Sequence, residues 1–161
     1  NFRPERIFQM SEARSFDYKR IFNNIFVLNS TSLNYQLDIV DNILKFIKKR
    51  SVKLVLIDDL TANFTDHISF PIKELKSSLL VQIKKLTDLA WNYKLSIVVT
   101  NTVRANLDNS LELEKETYSD LMNRTIHLRI YLQRLNNLWS ATNNYGEHTN
   151  FKIDETGIRE V

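Results

Sequence analysis

The chain has 161 residues, 43% of them apolar, a formal charge of +3, no cysteine and two glycines, Gly146 and Gly157. That length and apolar content suit one ordinary domain with a real core. Disulfides, thiolate metal sites and a Gly-rich phosphate loop, which needs several residues tolerant of positive φ, are excluded.

No run approaches the ~20 apolar residues of a membrane-spanning helix, and no signal or lipidation motif is visible, so no membrane partner is expected. Lack of cysteine suits a reducing compartment, and an intracellular location, cytoplasm or nucleus, is the expectation. The chain opens on Asn1 in the phrase NFRPER rather than on Met, as a domain fragment or a processed chain would.

Pro4 suits the first turn of a helix, where its missing N–H costs nothing, so RPERIFQMSEARSF predicts a short helix. NIFVLNS, residues 24–30, reads as a short strand. Thr31 or Ser32 can cap the next helix, in which Leu33, Leu37, Val40, Leu44 and Ile47 form an apolar stripe. Its closing Lys48-Lys49-Arg50 suits the negative end of a helix dipole.

KLVLID, residues 53–58, is an apolar strand of the kind covered on both faces in a parallel sheet. A second amphipathic helix spans about 72–93, with Ile72, Leu75, Leu79, Ile83, Leu86 and Ala90 on one face. Leu95–Thr100 is another buried strand. Strand, helix, strand, helix, strand predicts an α/β domain with parallel strands and right-handed crossovers.

Residues 104–120 are polar and acidic and read as a loop or loose helix. In 126–134, Ile126, Leu128, Ile130 and Leu132 alternate with His127, Arg129, Tyr131 and Gln133. LWSATN, NYGEH and TNFKID then read as strand, turn and strand around Gly146, with Gly157 in a later turn.

The apolar strand 54–57 ends on two acids, Asp58 and Asp59. Ligands of open α/β sheets bind beyond the carboxyl ends of strands, and Mg²⁺ takes a few oxygen ligands while keeping several waters. One strand-end carboxylate can therefore hold a nucleotide's metal, as a Walker B aspartate does; a turn acid that merely stops the strand is the plainer alternative. Asp59 points to the opposite side of the strand and need not share the metal.

NFRPERI, LVLIDDLTANF, LSIVVTNTV, IHLRIYLQR and FKIDETGI, in this order and at these separations, resemble the RecA-like recombinase core in its archaeal RadA and eukaryotic branch. The likeness covers nearly the whole chain. FRPER and VVTN are its most specific pieces. It implies a RecA-like P-loop NTPase core: α/β, a mostly parallel sheet flanked by helices, with a C-terminal antiparallel hairpin. Residues 1–161 would be the C-terminal part of that ATPase domain. The Walker A loop and catalytic glutamate would lie upstream, and two interior strand edges would be left open without the P-loop strand.

Residue by residue, the resemblance puts Asp58 on the Walker B aspartate and Asn101 on the sensor strand. Asp59 stands where the family has a small hydroxyl residue, and Thr102 where it has the glutamine that couples γ-phosphate to DNA. The first DNA-binding loop falls at about 64–71 and lacks the family's Arg and Gly; Phe64 and Phe70 flank it, as aromatics that could stack on bases or be buried under the loop. The second falls at about 103–121, with Arg104 and Lys115 among several acids. The implied cofactors are ATP and Mg²⁺. The implied partners are single- or double-stranded DNA and a recombinase-family subunit or a second copy.

A DNA-dependent ATPase is expected once the upstream P-loop is present, and no catalytic residue is assigned within the chain itself. The alternative is a non-catalytic recombinase-paralog module acting by protein–protein interaction; a KaiC-type signalling ATPase is a third option, against which FRPER speaks. His67 lacks a second ligand at metal spacing, and His127 reads as solvent-facing or paired with an acid. Trp91 and Trp139 read as core or half-buried packing, with interface anchors as the alternative. Lys48, Lys49, Arg50, Lys84 and Lys85 could make a basic patch, although helix lysines are usually just solvated.

Overall fold

A computed structural model describes residues 2–65, 69–105 and 114–161. The chain divides into two compact units, Ser30–Thr125 and a second built from Asn1–Asn29 with Ile126–Val161.

In the first unit, α3 (Leu33–Arg50) precedes β1 (Leu54–Ile57), and α4 (Ile72–Tyr93) carries the chain to β2 (Ser96–Val99). The strands pair in parallel with Leu54 opposite Ser96 and Ile57 opposite Val99. Both helices arise from the predicted stripes. Ser32 caps α3 by accepting from the Tyr35 amide at 3.3 Å, and Pro71 precedes α4. Leu33, Val40 and Ile47 of α3 are buried, as are Leu75, Leu79, Ile83 and Leu86 of α4. Ile72, expected in that stripe, is exposed, and the buried face begins at Leu75.

Two glutamines cross this core. The Gln36 amide donates to the Leu60 carbonyl at 2.9 Å and to Gln82 Oε1 at 3.2 Å, while its oxygen accepts from Asn63 at 2.8 Å. They tie both helices to the segment after β1; the Gln36 bonds offset the cost of burying its amide, whereas the Gln82 Nε2 is buried with no partner among the described residues.

β1 is covered on one face rather than two. Leu54, Leu56 and Val98 are exposed while Val55, Ile57, Ile97 and Val99 are partly buried. A two-stranded pair carrying its packed helices on one side buries every second residue. Among the described residues β1 and β2 pair only with each other.

Beyond β2, the expected loop or loose helix is instead a short antiparallel arm, β3 (Val103–Ala105) against β4 (Glu114–Glu116), followed by α5 (Ser119–Thr125). Residues 106–113, the middle of the expected second loop, and residues 66–68, which include His67, lie outside the described residues.

The second unit holds α1 (Pro4–Ala13), α2 (Tyr18–Phe22) and a four-stranded antiparallel sheet in the order β5 (Ile130–Leu135), β6 (Leu138–Asn143), β7 (His148–Asp154), β8 (Gly157–Glu160). Pro4 stands in the first turn of α1, as its geometry favours. Asp17 caps α2. The expected C-terminal hairpin is therefore part of a larger meander.

NIFVLNS does not form the expected strand. Residues 25–31 adopt no regular structure, since β-branched and aromatic residues favour a strand only where a ladder receives them. The alternating stretch 126–134 becomes a strand only from Ile130, and β5 is exposed on both faces. Trp139 is half-buried and stacks on Phe151 with ring centroids 6.4 Å apart. Gly157 has φ +107°, and a Cβ there would lie 3.2 Å from the Met10 sulfur, so α1 closes directly on this turn. Arg6 fastens the same contact, donating to the carbonyls of Asp154 and Glu155. No helix among the described residues is long and apolar enough to cross a membrane.

Candidate nucleotide and DNA site at the strand ends

The carboxyl ends of β1 and β2 lie side by side. Backbone bonds carry the pairing past the strands: the Thr100 amide donates to the Ile57 carbonyl at 2.9 Å, and the Leu60 amide to the Thr100 carbonyl at 3.0 Å. Leu60, Thr61 and Phe64 are buried beneath this turn, which fixes the backbone of both acids. The peptide between Asp58 and Asp59 is cis.

The two acids differ in what they touch. Asp58 is exposed, and its Oδ1 accepts from the Thr100 hydroxyl at 2.6 Å. Asp59 is half-buried and held from three directions. Its Oδ1 accepts from the Thr61 amide at 2.6 Å and lies 3.0 Å from the Thr61 hydroxyl, and its Oδ2 accepts from the Thr102 hydroxyl. This is a carboxylate turning its own backbone two residues on.

Asn101 is woven into the same turn. Its side-chain oxygen lies 2.6 Å from the Thr61 hydroxyl and accepts from the Thr102 amide at 2.9 Å. Its amide donates to Glu116 Oε1 and to the Thr117 carbonyl, both at 2.9 Å. The end of β2 is thereby joined to the stem of the β3–β4 arm. Tyr118 adds a second tie, donating from its hydroxyl to the Phe64 carbonyl at 2.5 Å. Burial pushes the Tyr118 phenol up from its ordinary value, opposed in part by the nearby Arg104 charge, so it stays a protonated donor at neutral pH.

Arg104 and Lys115 sit directly opposite each other across β3 and β4, both exposed. Like charges at paired positions repel, so the arm presents two cations on one face while Glu116 turns to Asn101 on the other. Phe70 is half-buried beside Thr31, Ser32 and Asn63 in an open groove at the start of α3. Phe64 has no accessible surface. Of the two roles its sequence position leaves open, base stacking at the first DNA loop and burial under it, the ring takes the second, as a wedge under the turn.

Of the residues expected to form a site, the structure brings Asp58, Asn101 and Thr102 to one strand end and pairs Arg104 with Lys115. Thr61, Thr100, Glu116 and Tyr118 belong to the same network and were not expected from the sequence. The spacing Asp-x-Thr at 59–61 carries the signal for the first. Glu116 and Tyr118 need the β3–β4 pairing, which leaves no mark in a polar acidic stretch.

An exposed carboxylate with a hydroxyl alongside suits Mg²⁺. Among the described residues no three His, Cys, Asp or Glu side chains converge as a metal cage, so such an ion would draw its remaining ligands from water and phosphate.

A family model described as Rad51 matches residues 1–161. The parallel strand pair with its packed helices and the antiparallel C-terminal sheet agree with the RecA-like α/β fold. The chain belongs to the Rad51 family, the RecA-like recombinases of DNA recombination and repair.

Proposed function

We propose that this chain is the part of a recombinase ATPase core that holds the metal of a Mg²⁺–ATP complex and couples it to DNA. The observation that carries the reading is the unequal treatment of two neighbouring acids. Asp59 is consumed by its own turn, whereas Asp58 is exposed at the end of a parallel strand with one hydroxyl beside it. That is the condition of a carboxylate free to take a metal. Mg²⁺ would supply charge neutralisation at the phosphates. Asp58 would hold it, and Thr100 would orient that carboxylate.

The phosphate loop would come from residues outside these 161. The edge of β2 away from β1 is open among the described residues and suits one more parallel strand. DNA would meet the Arg104–Lys115 pair, whose mutual repulsion a phosphate relieves. Thr102 bonds to Asp59, so the coupling that the family assigns to a glutamine would run here through Asn101 to Glu116.

A second reading, a non-catalytic recombinase-paralog module, draws on β5, which pairs only with β6 among the described residues and where Ile130 and Leu132 are exposed. A partner strand added there would cover both. Native mass spectrometry of the protein with a recombinase subunit separates the two readings. A stable heteromer without nucleotide binding favours the module.

For the ATPase reading, Mn²⁺ replaces Mg²⁺ in a spin-resonance titration of the protein carrying its P-loop segment. Nucleotide-dependent Mn²⁺ binding that weakens about tenfold or more in Asp58→Asn supports it. Equal binding by wild type and variant overturns it.

A further inference from the structure

Tyr118 has a left-handed backbone that no helix end or hairpin calls for. Among the described residues, the positions other than glycine with positive φ are Ser15, Ser51, Lys94, Tyr118 and Asn136. Ser51 and Lys94 close α3 and α4, Ser15 follows the end of α1, and Asn136 lies in the turn between β5 and β6. Those are ordinary places for a left-handed residue. Tyr118, at φ 56°, stands instead between β4 and α5, where a helix start favours extended backbone. A bulky side chain rarely adopts this conformation, and it persists only where the surroundings over-determine it.

The surroundings hold Tyr118 at both of its polar ends. Its carbonyl accepts from the Leu121 and Met122 amides at 2.9 and 3.0 Å, which starts α5, and Met122 is buried. Its hydroxyl reaches the Phe64 carbonyl, 54 residues away in sequence. Phe64 closes the turn after β1, its amide donating to the Thr61 carbonyl at 2.9 Å. The near leg of the β3–β4 arm is fixed to the same turn, through Asn101 to Thr61 and Thr102 to Asp59. The Thr117 amide, donating to the Thr102 carbonyl at 3.0 Å, joins the two legs at their base. The arm therefore stands on one turn by two feet, and the Tyr118 hydroxyl is the second.

We propose that Tyr118 is a positioning residue for the arm: its hydroxyl holds the far leg on the turn that carries Asp58 and Asp59, so that a nucleic-acid phosphate seated on Arg104 and Lys115 stiffens that turn. This rests on the reading of the cation pair as a DNA contact, and adds a route to the strand end separate from the Asn101–Glu116 bond. A phosphate that relieves the repulsion between the paired cations tightens the arm. An arm tied at one leg is free to swing about it; tied at two, it moves only with the turn. Glycine would suit the left-handed backbone without strain, and phenylalanine would supply the same ring. The hydroxyl is what tyrosine offers that neither does.

Amide hydrogen exchange tests this, read by mass spectrometry on peptides covering 60–65 and 114–118. Wild type and Tyr118→Phe, each supplied with the phosphate-loop segment, are compared with and without oligothymidylate. Without oligonucleotide, Tyr118→Phe should speed exchange at 114–118 by about tenfold or more and leave β1 and β2 unchanged, which also shows that the variant is folded. Oligothymidylate should slow exchange at 60–65 in wild type, although Phe64 lies beneath the surface. In Tyr118→Phe that slowing should vanish, while fluorescence anisotropy finds the oligonucleotide still bound with the wild-type salt slope, because both cations remain. Equal slowing in the two proteins overturns the proposal. So does bound oligonucleotide that leaves 60–65 unaffected in wild type, and so does unchanged exchange at 114–118 in the free variant. Oligothymidylate that fails to bind wild type overturns the DNA reading instead; faster exchange at 114–118 in free Tyr118→Phe then still assigns the hydroxyl its hold on the arm.

Discussion

The two ends of the β1–β2 pair are built in opposite ways. At the carboxyl end, Asp59, Thr61, Asn101, Thr102 and Glu116 are knitted together over a buried floor of Leu60 and Phe64. At the amino end, Lys48, Lys53 and Lys94 are exposed, and Lys48 lies over the Tyr93 ring. The first end is rigid because each polar group is tied to another and the turn is wedged from below. The second imposes no geometry on a ligand beyond charge. A metal-bound nucleotide demands placement within a fraction of an ångström, whereas a polyanion demands only phosphates within reach of cations.

That contrast can be broken by mutation. The largest difference should come from removing one aromatic at each end. Phe64→Ala takes away the floor of the carboxyl end and is expected to cost about 3–5 kcal/mol in urea unfolding. Trp91→Ala should stay within about 0.5 kcal/mol, as for an ordinary surface change. Comparable losses would mean that the indole is structural after all.

Next come the adjacent acids. Asp59→Ala removes the acceptor of the Thr61 amide and should cost about 1–3 kcal/mol. Asp58→Ala should leave the unfolding midpoint nearly unchanged. The reverse ranking would remove the division of roles between them.

A smaller effect distinguishes the two crossover helices. Ser32→Ala removes the cap of α3 and should cost about 1 kcal/mol. α4 begins without a side-chain cap, so a Ser in place of Pro71 has no existing bond to restore.

The smallest effect is in the other unit and depends on pH. The Asp154 carboxyl is held below its ordinary value, first by the Thr156 hydroxyl, then by the Thr156 amide, with Arg159 and Arg6 adding to these. A carboxyl whose folded pKa is depressed contributes stability above its unfolded pKa, near 3.8, and loses it as pH falls through the folded value. Asp154→Asn should therefore flatten the acid limb of the stability curve slightly and leave neutral pH untouched. A thermal-melt series checks it.

Long amphipathic elements were legible in the sequence. The stripes of α3 and α4 specify which face is buried, and the apolar runs specify β1 and β2. The motif order carried the family, and the family model agrees. NIFVLNS misled because strand propensity has no effect without a ladder. β1 looked two-sided because an apolar run records what residues tolerate, not what covers them. Phe64 could be read as a base-stacking or as a buried aromatic, and the fold settles on burial because the turn after β1 dips inward. At the site, Asp58 and Asn101 were visible as strand-end residues. The bonds of Asn101 to Thr61 and Glu116 were not, because they join segments about 15 to 40 residues apart that no local pattern relates.

The central claim is that Asp58, and not Asp59, presents its carboxylate to a metal. Calorimetric titration of Mg²⁺–ATP into the protein, supplied with the phosphate-loop segment that the proposed function requires, run on wild type, Asp58→Asn and Asp59→Asn below each variant's melting point, tests it directly. Asp58→Asn is expected to lose the magnesium-dependent part of binding while remaining as stable as wild type, and Asp59→Asn to melt earlier yet still bind when folded. Full magnesium-dependent affinity in a folded Asp58→Asn protein would contradict it.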